Sequence, residues 1–200
     1  VMILFSGWFM VYPYFRDSLS RKNVIRLKLT GGFLFAGMLI SFFAGRIYPV
    51  DFEVDIPDIG QGSAVLVRWK KHVLVADCGP LSKGYQTLRE IVLKRHRGQI
   101  DILVLSHYDL DHTGNLKNLV EKIAVGECWL NPVTENEQNK KEVEEILQNR
   151  KIPFREVHAG YSASFGHDAM IGVLNPFLSE RYETDNDSSI VVYIDTPVRT

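Results

Sequence analysis

Two apolar blocks open the chain, with a basic stretch between them. Residues 1–12 are apolar apart from Ser6, and residues 29–45 are uncharged and include Phe33, Leu34, Phe35, Met38, Leu39, Ile40, Phe42 and Phe43. Arg16, Arg21, Lys22, Arg26 and Lys28 lie between them. A bilayer span takes about 20 residues, so the first block reads as the tail of a longer span. It has no charged n-region and does not resemble a signal peptide. The second block, with Arg46 able to snorkel and Tyr48 suited to an interface, predicts a transmembrane helix near 29–46. A helix buried against a soluble core is the other reading of the same pattern. Basic loops stay cytoplasmic, so everything from about Asp51 onward is expected outside the cytoplasm.

From residue 52 the period shortens. Residues 52–56 alternate apolar and acidic positions, as a half-buried strand does. Residues 64–69 and 73–76 read as a strand pair turned at 70–72. Tyr85, Leu88, Ile91 and Val92 recur at helical spacing, and Gly98 stops that helix. Residues 102–105 are wholly apolar, which suits a strand covered on both faces. Leu116, Leu119, Val120 and Ile123 mark another helix. Thr134 and Glu137 predict a capping box for a helix through Asn149, with Val143, Ile146 and Leu147 inward. Further strands are expected at 154–158, 170–174 and 189–195. The order predicts an α/β fold with sheets packed in the middle and helices outside.

Composition sharpens the division. Residues 1–50 hold six Lys/Arg and one acid, whereas residues 51–200 hold 17 and 23. We therefore expect a membrane part over 1–49 and a separate domain over 50–200. The whole carries a formal charge of −1, which gives no global call for a polyanionic partner. Two cysteines, Cys78 and Cys128, exclude a disulfide-built scaffold, and both are expected to be free and buried.

The chemistry concentrates in Ser106-His107-Tyr108-Asp109-Leu110-Asp111-His112-Thr113-Gly114, directly after the wholly apolar strand. Four imidazole and carboxylate groups within six residues repel one another or stay unsatisfied unless a cation gathers them. Such a nitrogen and oxygen donor set suits zinc, manganese or a similar divalent ion. Asp111 and His112 are adjacent and can point to different sides of a centre, as two neighbouring metals require. Asp58-Ile59-Gly60-Gln61-Gly62-Ser63 falls between two strands, where its glycines allow positive φ and a close backbone approach. Asp77-Cys78-Gly79 ends the next strand, and its carboxylate is placed to hydrogen-bond a metal-binding histidine from behind.

HYDLDH resembles the HxHxDH signature of the metallo-β-lactamase superfamily, with Asp109 in place of the middle histidine. DIGQG, ADCG, SHYDLDHTG, VLNP (residues 173–176) and NDSS (residues 186–189), in that order, are more narrowly similar to ComEC-type competence proteins, membrane channels for DNA uptake. The resemblance implies a metallo-β-lactamase-like αββα sandwich over about residues 50–195, following membrane segments. It implies one or two divalent ions, manganese or zinc, on His107, Asp109, Asp111 and His112. Asp111 would also orient or deprotonate the attacking water. Asp58, Gly60, Gly62, Asp77, Asn186 and Ser189 match positions that support the site. Ser63 stands where the family commonly has Asp, and Asn115 where it has a second Gly. The Asp that usually bridges two metals would lie beyond Thr200, so the resemblance implies a chain cut at both ends.

The activity so implied is a metal-dependent nuclease that degrades the non-transported DNA strand. The protein would sit in the cell membrane, with residues 50–200 extracytoplasmic and the channel part of the same polypeptide as neighbour. A non-catalytic metal-binding or DNA-guiding module, or a hydrolase of another phosphodiester or ester, are the alternatives. Arg68, Lys70 and Lys71 around Trp69 read either as a DNA contact with base stacking on the indole or as a solvated hairpin.

Overall fold

The computed structural model describes residues 21–47, 52–81, 88, 92 and 98–197. The apolar block at 1–12 lies outside the described residues, as does most of the helix expected around Tyr85 to Val92. Leu88 and Val92 themselves are helical and buried. The chain divides into two compact units, Val1–Pro49 and Val50–Thr200.

The first unit contains α1 (Arg21–Ile47). Leu29, Phe33, Leu34, Met38 and Ile40 are exposed on it. Among the described residues, no helix is long and apolar enough to cross a membrane. The stretch read as a span is therefore seen as a helix only.

The second unit is built on a six-stranded sheet of order β1-β2-β3-β4-β5-β6. Its strands are β1 (Phe52–Asp55), β2 (Val65–Trp69), β3 (His72–Ala76), β4 (Gln99–Val104), β5 (Ala124–Leu130) and β6 (Phe154–Glu156). The first three run antiparallel, and β3 through β6 run parallel. A three-stranded antiparallel sheet follows: β7 (Ser162–Ser164), β8 (Met170–Asn175) and β9 (Val191–Asp195). The helices of this unit are α2 (Leu110–Thr113), α3 (Leu116–Lys122) and α4 (Glu137–Asn149).

Alternation along the strands sorts the core into two layers. Leu66, Val73, Val75, Leu103, Cys128 and Leu130 face one way and pack with Leu119, Val143 and Leu147 of the helices. Val67, Trp69, Leu74, Ile102, Val104 and Trp129 face the other way and pack with Phe165, Ile171 and Val173 of the second sheet. This is the period-two rule of a sheet covered on both faces. Each fully buried aliphatic or aromatic side chain contributes roughly 1.5–3 kcal/mol, which makes these layers the main source of stability. Among the described residues no helix covers the outer face of the second sheet, where Met170, Leu174, Val191 and Tyr193 are exposed. The described layers are thus helix, sheet, sheet; the fourth layer of the expected sandwich is not among them.

Some local expectations are corrected. β5 was not expected, because Gly126 and Glu127 interrupt its apolar run, yet it is a central parallel strand. The helix at 137 is capped by Asn136, whose Oδ1 accepts the Asn139 N–H at 3.3 Å. Thr134 does not form the capping box; its hydroxyl instead donates to Asp185 Oδ2 at 2.7 Å. Cys78 and Cys128 are free and buried, and burial raises both thiol pKa values.

Candidate metal centre

One end of the large sheet gathers the loops that carry the chemistry. β3 and β4 are parallel, so Asp77 and Ser106-His107 leave the sheet side by side. β2 is antiparallel to β3, so its entry through Gly62 and Ser63 lies at the same end. Strand ends fix loop positions, which is why side chains from several segments can converge here.

After β4 the chain makes one helical turn, α2, with Asp109 at its N-cap. The His112 and Thr113 amides both donate to Asp109 O at 2.9 Å. The segment is therefore more regular than the loop its sequence suggests. Neighbouring loops fasten this turn through its backbone. Ser63 N–H donates to Asp111 O at 3.2 Å, and Cys78 N–H donates to His112 O at 2.9 Å. Gly62 adopts φ +118°, and an added Cβ there would lie 2.2 Å from Asp111 O. The close approach anticipated for a glycine in this loop is thus a packing of backbone on backbone.

Asp77 is buried and sits at φ +59°, a left-handed conformation that few non-glycine residues adopt. Its Oδ1 accepts the Ser106 amide at 2.8 Å. Its Oδ2 accepts the Ser106 hydroxyl at 2.8 Å and the His112 Nδ1–H at 2.8 Å. Backbone strain of this kind persists where the surroundings over-determine it. Burial opposes charging of His112, but the hydrogen bond and charge of Asp77, with Asp111 and Asp109, outweigh it and raise the pKa. His107 is shifted the other way, by burial first and then by the His112 charge.

The two imidazole rings lie 4.0 Å apart between centroids. His107 Nε2 is 3.5 Å from Asp109 Oδ2, and His112 Nε2 is 3.8 Å from Asp111 Oδ2. These separations are too long for good hydrogen bonds. His107 Nε2 is buried with no hydrogen-bond partner, an uncommon and costly state for a ring nitrogen. Among the described residues, no three His, Cys, Asp or Glu side chains form a group able to hold a metal ion. What the fold provides is two imidazole–carboxylate pairs side by side. An unpartnered buried lone pair facing a carboxylate fits a divalent cation, and oxygen and nitrogen donors are the right types for zinc or manganese.

The remaining expected residues separate. Asp58 is exposed, turns its own loop by accepting the Gly60 amide at 3.2 Å, and lines a groove with Gly60, Asp109, Asp111, Asn136 and Asn139. That groove has a volume of about 1250 Å³, and no Lys or Arg is among its described lining residues. Ser189 reaches His107 Nδ1 at 3.2 Å. Asn186 is exposed, and it is its backbone carbonyl that takes part, accepting the Ser189 amide at 3.2 Å. Two contributors escaped the sequence reading. Ser106 touches Asp77 and both histidines, yet it read simply as the residue before His107. Asn131 Nδ2 donates to Ser106 O at 2.9 Å and Ser188 O at 2.7 Å, tying the histidine loop to the 186–189 loop. Its signal was a polar residue placed directly after a buried strand.

The hairpin basic cluster is not a stacking platform. Trp69 is buried in the intersheet core, and its indole N–H donates to Asp168 Oδ1 at 2.9 Å. Arg68 pairs with Glu53 at 2.7 Å, and Lys70 pairs with Asp168. Lys71 is exposed. The alternation that reads as a half-exposed hairpin is covered by the second sheet, which drives the indole inward. The turn also lies at the far end of strands five residues long, about 16 Å from the histidine loop.

Comparison with known proteins agrees with this architecture. The metallo-beta-lactamase superfamily profile matches residues 57–199. ComE operon protein 3 of Bacillus subtilis (strain 168) is 25% identical over 199 residues, covering 90% of this chain and 25% of that protein. The structure titled "Peroxy diiron species of chemotaxis sensor ODP" matches with TM-score 0.53 and 12% identity, over 73% of this chain and 56% of that one. Zn(2+)-bound PqqB from Methylobacterium extorquens matches with TM-score 0.48 and 13% identity, over 67% and 49%. The chain spans a quarter of the curated relative and about half of these structures. With the family profile running from the first motif loop through the second sheet, this chain belongs to the metallo-beta-lactamase superfamily.

Proposed function

We propose that residues 50–200 are the metal-dependent hydrolase domain of a ComEC-type DNA-uptake protein, cleaving DNA phosphodiesters. The observation that carries the reading is the buried, unpartnered Nε2 of His107 beside Asp109, next to the matching His112–Asp111 pair. His107 and Asp109 would hold one divalent ion, and Asp111 and His112 a second. Such an ion supplies Lewis acidity, polarising a phosphoryl oxygen and acidifying water at neutral pH. Asp111 is half-buried and borders the groove, so its carboxylate can orient a water and accept its proton. Asp77 keeps the His112 proton on Nδ1 and so leaves Nε2 as the donor nitrogen. The similarity to ComE operon protein 3 and the ordered motifs support the narrower assignment.

The acidic groove favours one competing reading, a hydrolase of a less charged phosphodiester or ester. The test is cleavage of single- and double-stranded DNA by the full chain with manganese or zinc. Cleavage that falls at least about 100-fold in Asp111→Ala is expected for loss of a proton acceptor. Metal binding without DNA cleavage would overturn the nuclease assignment and leave the competing ester or a guiding role.

We further propose a cell-membrane location with this domain outside the cytoplasm. The basic residues before the apolar stretch of α1 support it. A reporter fused after Val50 that works only outside the cytoplasm should be active, and an inactive one would reverse the topology.

A further inference from the structure

We infer that Ser189, in the loop that leads into β9, acts with Ser106 as a positioning residue that holds His107 with its ring proton on Nδ1, leaving the buried Nε2 lone pair toward Asp109. The inference rests on the reading of His107 as a metal donor, and it adds the device that orients it.

Proton counting gives the direction. Ser106 has one hydroxyl proton, and that proton goes to Asp77 Oδ2 at 2.8 Å, because an ionised carboxylate only accepts. Toward His107 Nδ1, 3.0 Å away, Ser106 Oγ therefore offers lone pairs alone. This contact favours the hydrogen on the ring nitrogen facing it, and a second acceptor there completes the preference. Ser189 Oγ lies 3.2 Å from the same nitrogen and shares that N–H as a second acceptor. Neutral imidazole has one N–H, so Nε2 is left as an acceptor with no partner, in agreement with its isolation.

The position of Ser189 is set independently of its hydroxyl. Its amide donates to Asn186 O at 3.2 Å, and its carbonyl accepts Asn175 Nδ2 at 2.8 Å. On one side, buried Ser188 donates its hydroxyl to Asp185 O at 2.9 Å. On the other, Ile190 N–H donates to Ser106 O at 3.0 Å. The hydroxyl takes no part in that fastening; its hydrogen bond is to His107. Ser189 thus stands behind the ring, on the side away from Asp109, and does not serve as a ligand itself. The consequence is a coupling between the second sheet and the first imidazole–carboxylate pair.

The test compares wild type, Ser189→Ala and Ser189→Thr as full chains. Nitrogen-15 NMR of the metal-free protein reads which ring nitrogen of His107 carries the proton. Competition with a chromophoric chelator reads zinc and manganese affinity. The wild type should show the proton on Nδ1. Ser189→Ala should show a mixed tautomer and bind the first-released ion about tenfold more weakly, the low end of the range for lost supporting partners because Ser106 remains. Ser189→Thr keeps the hydroxyl and should restore both readouts, which general loosening of the loop would not allow. A wild-type His107 protonated on Nε2, or an alanine variant unchanged in tautomer and affinity, overturns the inference. A correct tautomer in a wild type that binds neither ion overturns the metal reading while upholding the contact.

Discussion

Asp77→Asn is expected to lower divalent-metal affinity about 10- to 100-fold, the range for lost partners of ligating histidines. The substitution keeps the shape and inverts the chemistry. Asp77 accepts three hydrogen bonds, from the Ser106 amide, the Ser106 hydroxyl and His112 Nδ1. An asparagine oxygen placed on the Ser106 amide turns its NH₂ toward His112. That group donates to Nδ1 and drives the ring proton onto Nε2, the nitrogen facing Asp111. The donor lone pair is then lost from the second pair. The Ser106 hydroxyl loses its carboxylate acceptor at the same time and is free to donate to His107. Both pairs are therefore affected by one residue whose hydrogen bonds go to neither Asp109 nor Asp111. Isothermal titration with zinc and manganese measures the loss. Unchanged affinity would show that the histidines do not bind the ions through their Nε2 atoms.

The same variant carries a pH signature in the metal-free protein. His112 has a raised pKa, so its pairing stabilises the fold fully below the ordinary histidine value and is lost as pH rises through the raised one. His107 has a lowered pKa, so it favours the fold above the ordinary value and loses that contribution as pH falls through the lowered one. In the wild type the two act in adjacent windows, so stability passes through a maximum near the ordinary histidine value. Asp77→Asn removes the main support of the first. Its stability to urea should then rise to a plateau near the ordinary histidine value, where the wild type falls again at higher pH.

The particular residues that were legible in the sequence share a property: their role follows from local chain geometry. A carboxylate one residue past a strand, as in Asp77, points where the strand ends. Adjacent Asp111 and His112 are the exception: expected to point to different sides of a centre, they pair, with His112 Nε2 3.8 Å from Asp111 Oδ2. The wholly apolar run at 102–105 announced a strand covered on both faces. What failed to show depended on partners far away in sequence. Trp69 looked available beside three cations, but its face is decided by a second sheet that begins at Ser162. Asn131 and Ser188 are 57 positions apart, and neither carries a motif that names the other. β5 holds a central place because β4 and β6 flank it, although its own sequence is mixed. Asn186 and Ser189 came from one motif, and the fold separates them, sending one hydroxyl inward and leaving the other side chain outside.

Gly62→Ala is expected to cost about 2–4 kcal/mol from combined overpacking and left-handed strain. The glycine holds φ +118°, where an L side chain is strained whatever room it has. Here there is no room. The new Cβ would meet Asp111 O at 2.2 Å and Pro80 Cδ at 2.8 Å. The first neighbour is backbone and cannot rotate away. Relief must come from moving the loop outward, which stretches the Ser63 N–H to Asp111 O hydrogen bond, or from shifting the α2 turn. Either movement changes where Asp111 and His112 aim. Gly60→Ala is the control, since it shares a positive φ of 78° but has nothing within 4 Å of an added Cβ. Chemical denaturation should show a modest loss at Gly60, a large one at Gly62, and metal affinity reduced at Gly62 alone. Equal stability losses with metal affinity intact in both would mean that the loop packs beside the turn without setting its geometry.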